Sequence, residues 1–154
     1  MVTIRKATIK DLEVVQDLYK RLHEFEDTFT DEFDKDWAYS EKGKKFFASR
    51  LRSYNTIGLI SEDDGRPMGF SLTYISSAKM RFRDKIALLE YLYVEEDMRG
   101  KGVGSKLLKS TKKILKEKQI KRLKVVSLSS NIDAINFYKR NGFGEFALIL
   151  EMNL

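Results

Sequence analysis

Val94-Glu95-Glu96-Asp97-Met98-Arg99-Gly100-Lys101-Gly102-Val103-Gly104-Ser105 is a glycine-dense turn between an apolar run and a lysine-rich amphipathic run. Three glycines strip away side chains that would hold a ligand off the backbone. If a helix starts at Val103, its first amides converge on one spot, where the macrodipole adds roughly half a positive charge. A diphosphate is the natural guest of such a turn. The competing reading is a plain turn whose glycines serve only backbone angles. Other phosphate loops fit worse. A dinucleotide fingerprint counted from Gly100 or Gly102 needs a further glycine where Ser105 or Leu107 stands, and a triphosphate loop needs Ser or Thr after Lys101, where Gly102 stands.

Working outward, the run before the turn, Lys85 to Val94, reads as a strand, and Val103 to Lys118 as a helix with Val103, Leu107, Leu108, Thr111, Ile114 and Leu115 inward. Downstream, Leu123 to Leu128 reads as a buried strand. Asp133 to Arg140 follows as a short helix ended by Asn141-Gly142, and Phe146 to Met152 as a last strand. Upstream, Thr56–Ser61 and Met68–Ile75 flank Asp63-Asp64-Gly65, a hairpin signal. A polar connection through Lys79, Arg81, Arg83 and Asp84 leads to the next strand. At the amino terminus, Thr3–Lys6 reads as a strand, and Thr8 with Asp11 as a capping box. Leu12, Val15, Leu18, Tyr19, Leu22 and Phe25 then form a helical stripe, and Trp37 to Tyr54 resumes helical spacing. The expected fold is therefore α/β: one mixed, largely antiparallel sheet of six to seven strands flanked by about four helices, in a single domain over residues 1–154.

Composition narrows the chemistry. The chain has no cysteine and one histidine, which excludes disulfide scaffolds, thiol nucleophiles and thiolate metal sites. His23 lies in a helical run without a matching partner and reads as structural or surface. No uncharged run is long enough to cross a bilayer, and Arg5 and Lys6 precede any signal-like core, so a cytoplasmic protein away from membranes is expected. The net charge of +6 favours an anionic partner, and charge alone does not choose between nucleic acid and a phosphorylated cofactor. Lysines 106, 109, 112, 113, 116, 118, 121 and 124 with Arg122 read as a solvated face. No aromatic platform interleaves them, so nucleic-acid binding is the weaker alternative.

Arg99-Gly100-Lys101-Gly102-Val103-Gly104 resembles the coenzyme A loop of the GNAT superfamily of N-acetyltransferases, which reads Gln or Arg, two residues, Gly, any residue, then Gly or Ala. Leu89-Glu90-Tyr91-Leu92-Tyr93-Val94 looks like that family's fourth strand. Asn131-Ile132-Asp133-Ala134-Ile135-Asn136-Phe137-Tyr138 with Gly142-Phe143 is similar to its second signature. The resemblance implies acetyl transfer from acetyl-CoA to a primary amine in a ternary complex, without a metal. It implies that Leu92, Tyr93 and Val94 present backbone groups to the pantetheine arm and that Arg99, Gly100, Lys101, Gly102, Val103, Gly104 and Ser105 hold the pyrophosphate. It also implies that Asn131 contacts the arm from the other side. A non-catalytic acyl-CoA sensor would share that cofactor site.

Amide formation at neutral pH needs an acceptor for the ammonium proton and a donor for the leaving thiolate. Glu90 and Tyr138 are suitable types. Glu90 alternates with Leu88 and Leu92 and is expected inward, and Tyr138 is expected to reach the sulfur. Glu24, Glu26, Asp27, Asp31, Glu32, Asp34 and Asp36 form an acidic segment, expected to draw a cationic acceptor such as a polyamine, a lysine side chain or a peptide amine. Only eleven residues follow Phe143, fewer than many members of the family use for a closing strand pair, so a homodimer partner is expected to complete the carboxyl-terminal wall.

Overall fold

The hairpin signal at Asp63-Asp64-Gly65 organises the sheet. Asp64 and Gly65 both take positive φ (49° and 79°), which suits the tight turn whose twist matches the flanking strands. It joins β2 (Thr56–Asp63) to β3 (Arg66–Ser76) in antiparallel register, with Ile60 opposite Phe70. A computed structural model describes residues 1–76 and 84–154 of the chain. The polar connection expected through Lys79, Arg81 and Arg83 lies outside the described residues.

The remaining elements are β1 (Thr3–Lys6), α1 (Leu12–Glu26), α2 (Glu41–Arg52), β4 (Ile86–Val94), α3 (Val103–Glu117), β5 (Leu123–Val125) and α4 (Ile132–Arg140). Thr8 and Asp11 close the expected capping box, and Asp11 also accepts both terminal nitrogens of Arg5 at 3.0 and 2.7 Å. The expected second helix is split. Trp37–Tyr39 forms a separate tight turn, and Ser40 caps α2 by accepting the Gly43 amide.

The sheet order is β1-β2-β3-β4-β5, antiparallel throughout except that β5 runs parallel to β4. In β2 every residue from Thr56 to Ser61 is buried, because both faces of the sheet are covered. Val15, Leu18, Tyr19 and Phe47 from α1 and α2 meet Ile60, Phe70 and Leu72 on one face. Val103, Leu107 and Leu115 of α3 meet Ile57, Leu59 and Ile75 on the other. The apolar stripes of α1 and α3 therefore face the sheet, and their charged residues face away from it.

Two expectations need correction. The described residues contain five strands, not six to seven, because 143–154 form no helix or strand and residues 144–154 are all exposed. An apolar, strand-like pattern becomes a strand only when another strand supplies its hydrogen bonds. Likewise β5 ends at Val125, half-buried, rather than continuing buried to Leu128.

Candidate active site

The site lies where two strands part. β4 and β5 pair only at Ala87↔Leu123, Leu88↔Lys124 and Leu89↔Val125, so among the described residues β4 from Glu90 to Val94 has no strand neighbour on that side. The parting opens a cleft of about 850 Å³, within the usual range of a ligand site. Leu92, Tyr93 and Val94 line it from β4, Val125 at the end of β5 and the following Val126 to Leu128 from the opposite side, and Asn131 and Tyr138 from α4 and its cap.

The glycine turn forms one end of this cleft. Gly100 and Gly102 have φ of 73° and 78°, a left-handed conformation that disfavours side chains, and nothing stands within 4 Å of where a Cβ would point. Gly102 provides no side-chain cap to α3, and the first amide to bond back is that of Lys106, to the Gly102 carbonyl at 3.0 Å. The amides of Val103, Gly104 and Ser105 thus precede the helical ladder. An open concavity with uncapped amides fits a pyrophosphate. Gly104 has a different reason to be glycine: a Cβ there would lie 3.2 Å from Phe137 Cζ, so its absence lets α4 pack against the start of α3.

Arg99 and Lys101 behave differently from their neighbours. Arg99 lines the cleft, but its Nε donates to the Val94 carbonyl at 3.0 Å, and its guanidinium stacks 4.1 Å from the centre of the Phe25 ring. It ties the end of α1 to β4. Lys101 is outside the cleft, with Nζ 3.7 Å from Met98 Sδ. Asn131 is buried in the cleft wall and accepts the Ala134 amide at 3.1 Å, capping α4.

The other end of the cleft carries the titratable groups. β4 has a bulge: Leu72 faces Tyr91 and Thr73 faces Leu89, which leaves Glu90 as the extra residue. The alternation assumed for Glu90 is therefore broken at Glu90 itself. Its carboxylate accepts from Arg50 Nε and Nη2 at 2.9 and 2.6 Å. Tyr138 packs edge-on against Phe137 and Phe143 in an apolar wall. Burial pushes its hydroxyl up to about 12, and the nearby Glu26 carboxylate adds to the shift. Tyr91 is likewise pushed up to about 12, by burial first and then by Glu90.

Sequence reasoning misses Arg50 and the pairing of Glu26 with His23. Glu26, at the end of α1, lines the cleft, and its Oε2 lies 2.6 Å from Nδ1 of His23, which is buried rather than on the surface. Arg50 escapes notice because its partner Glu90 stands forty positions away, on a different element. Of the seven acidic residues expected to face an acceptor, only Glu26 lines the cleft. Asp36 pairs with Lys20 and Asp27 with Lys35, and Asp31, Glu32 and Asp34 lie outside it. The local signal for Glu26 is its place one helical turn after Leu22 on the apolar stripe.

Residues 14–143 match the model of the acetyltransferase (GNAT) family. The chain belongs to that family. It is an acyltransferase that uses acetyl-CoA to acetylate an amine. An uncharacterized N-acetyltransferase of Methanocaldococcus jannaschii is 28% identical over 147 residues, which cover 93% of this chain and 61% of that protein. The N-acetyltransferase YhfO of Bacillus subtilis is 28% identical over 144 residues, covering 92% of this chain and 89% of its own. An aminoglycoside N-acetyltransferase, AAC(6')-Iy, solved in complex with CoA, superposes with a TM-score of 0.79 over all of this chain and 95% of its own, at 17% identity. No helix of the described residues is long and apolar enough to cross a membrane.

Proposed function

We propose that this acetyltransferase acts on a cationic primary amine, of the polyamine, lysine or basic peptide type, in the cytoplasm. The observation that carries the reading is that one cleft joins the open glycine turn to Glu26, Glu90 and Tyr138. Acetyl-CoA supplies the acetyl thioester. As the N–C bond forms and the C–S bond breaks, one proton leaves the amine and one hydrogen-bond donor is needed at the departing sulfur.

This chain supplies the rest. Backbone amides from Gly100 to Ser105 are suited to hold the pyrophosphate, and the stretch of β4 from Leu92 to Val94 to hold the pantetheine arm from one side, with Asn131 on the other. Glu26 sets a negative potential that retains an ammonium group, whose ordinary pKa is near 10, while the charge of Glu90 is balanced by Arg50. Glu90, oriented by Arg50, takes the ammonium proton through a water. Tyr138 keeps its proton throughout the neutral range and donates to the leaving sulfur.

The test is thiol release from acetyl-CoA across spermidine, lysine peptides, aminoglycosides and neutral amino acids, with Glu26→Gln beside the wild type. The cationic amines should turn over fastest, and Glu26→Gln should raise their Michaelis constant roughly threefold to tenfold at low salt, less at high salt. Equal rates for neutral and cationic amines would refute the electrostatic part. A coenzyme-binding protein with no turnover on any amine would instead be a sensor.

A further inference from the structure

Among the described residues three carboxylates line the cleft, those of Glu26, Glu90 and Asp133. Arg50 balances Glu90 through two hydrogen bonds. Asp133 stands in the first turn of α4 beside the cap Asn131, on the stretch of wall given above to the coenzyme arm. Glu26 remains, and no lysine or arginine of the described residues pairs with it. Its close neighbour is His23, whose Nδ1 lies 2.6 Å from Oε2. The two atoms touch without hydrogen-bond alignment, and both are buried with no other partner among the described residues. The surroundings are apolar. His23 is 4% exposed, Phe33 packs on its ring at 4.7 Å, and Leu22 and Leu89 line the same cleft. Burial pushes the hydroxyls of Tyr91 and Tyr138 up to about 12, and the Glu26 charge adds to both shifts, so both side chains stand near that carboxylate.

We propose that this site selects an acceptor with a single ammonium on an apolar stem, an alkyl or arylalkyl monoamine, over amines that carry a second charge. The inference rests on the reading that the cleft acetylates a cationic amine, and narrows it. An ammonium has N–H donors only, so it completes the Glu26 carboxylate, and the rings around that carboxylate attract the same cation. Tyr138, given above as the donor to the departing sulfur, stands near Glu26, so the ammonium that Glu26 holds is the one that reacts. The stem behind it then lies along Leu22, Phe33 and Leu89, which favour carbon over water. A second ammonium on that stem would lose its hydration where no described carboxylate is left to pair with it. Polyamines would therefore be acetylated more slowly than a monoamine of equal length.

Hexylamine and hexamethylenediamine share one stem and differ by the second ammonium. With acetyl-CoA, hexylamine should show a kcat/KM per amino group higher by on the order of tenfold. From butylamine to hexylamine, kcat/KM should rise by up to roughly fourfold for each methylene buried. Phe33→Ala, at a side chain 36% exposed, should remove most of that chain-length gain and leave the calorimetric affinity for coenzyme A unchanged. A diamine that matches or exceeds the monoamine, or a flat chain-length series, would overturn the proposal and leave acetylation of cationic amines standing. If no amine turns over, that broader reading falls instead, and calorimetry of the same two amines with the coenzyme A complex decides the narrower one. Tighter binding of hexylamine upholds the selectivity, and equal or tighter binding of the diamine overturns it.

Discussion

Removing Arg50 or Glu90 separately and together measures whether the pair seen across the cleft wall governs the proposed base. The two hydrogen bonds are 2.9 and 2.6 Å, and the side chains remain 22% and 20% exposed. A hydrogen bond to a charged group contributes about 1.5–3 kcal/mol, and breaking a fully buried pair costs about 3–5 kcal/mol. Partial exposure lowers that, so Glu90→Ala should cost about 2 kcal/mol. Arg50 also lies 4.1 Å over the Tyr74 ring and 4.9 Å over Phe46, each contact worth about 0.5–1 kcal/mol. Arg50→Ala should therefore cost about 3–4 kcal/mol. The double variant should lose little more than Arg50→Ala alone, a coupling of about 2 kcal/mol. Urea unfolding with constant m-value is the assay. Arg50→Lys keeps the charge but not the fork and should recover less than half of the coupling. A coupling below about 0.5 kcal/mol would mean that Arg50 does not orient Glu90, and the role given to Glu90 would lose its structural basis.

Tyr138→Phe should lower kcat by roughly one to three orders of magnitude with little change in coenzyme affinity, as for loss of a donor at the leaving sulfur. Because burial pushes the Tyr138 hydroxyl up to about 12, the donor survives as pH rises, and an alkaline limb near about pH 9–10 that vanishes in Tyr138→Phe would contradict the assignment. Gly104→Ala places a Cβ 3.2 Å from Phe137 Cζ, so overpacking of about 1–3 kcal/mol is partly offset by about 1 kcal/mol of helix propensity. Thermal unfolding should fall by a few degrees, whereas Gly102→Glu, which meets open space but carries about 1–2 kcal/mol of strain at a φ of 78°, should abolish coenzyme binding by calorimetry. Asp11, held below the usual carboxylate range first by Arg5, stabilises the fold above its unfolded pKa of about 3.9 and loses that contribution as pH falls through its lower folded value. Asp11→Ala should cost about 1–2 kcal/mol at about pH 7, and the difference from wild type should shrink as pH falls below about 4.

The elements legible in the sequence are those with local causes. The Thr8–Asp11 box, the Asp64-Gly65 turn and the apolar stripes of α1 and α3 each depend on residues a few positions apart, and each stands where its pattern places it. The glycine turn reads as a ligand cradle because three glycines at a helix start leave its first amides uncovered. Gly104 has a second reason to be glycine that the sequence does not show, because the place of a Cβ there is taken by Phe137 of another helix. Glu90 does line the cleft, but alternation is not the reason, because a bulge breaks it at that residue without leaving a mark in the strand's own residues. Arg50 and the His23–Glu26 pair gain their meaning from tertiary approach, which no periodicity reports. The expected last strand has the right composition but needs a partner edge that the sequence does not show.

The central claim is that this cleft moves an acetyl group from thioester to amine rather than only binding the thioester. Carbon-13 NMR of acetyl-CoA labelled at the acetyl carbonyl, incubated with the protein and spermidine, follows that carbon directly. The account predicts that the thioester resonance is replaced by an amide resonance, one amide for each thiol released, and that Tyr138→Phe slows the exchange of signals. A label that stays on the thioester, or is released as acetate, with spermidine and with lysine peptides alike would contradict it.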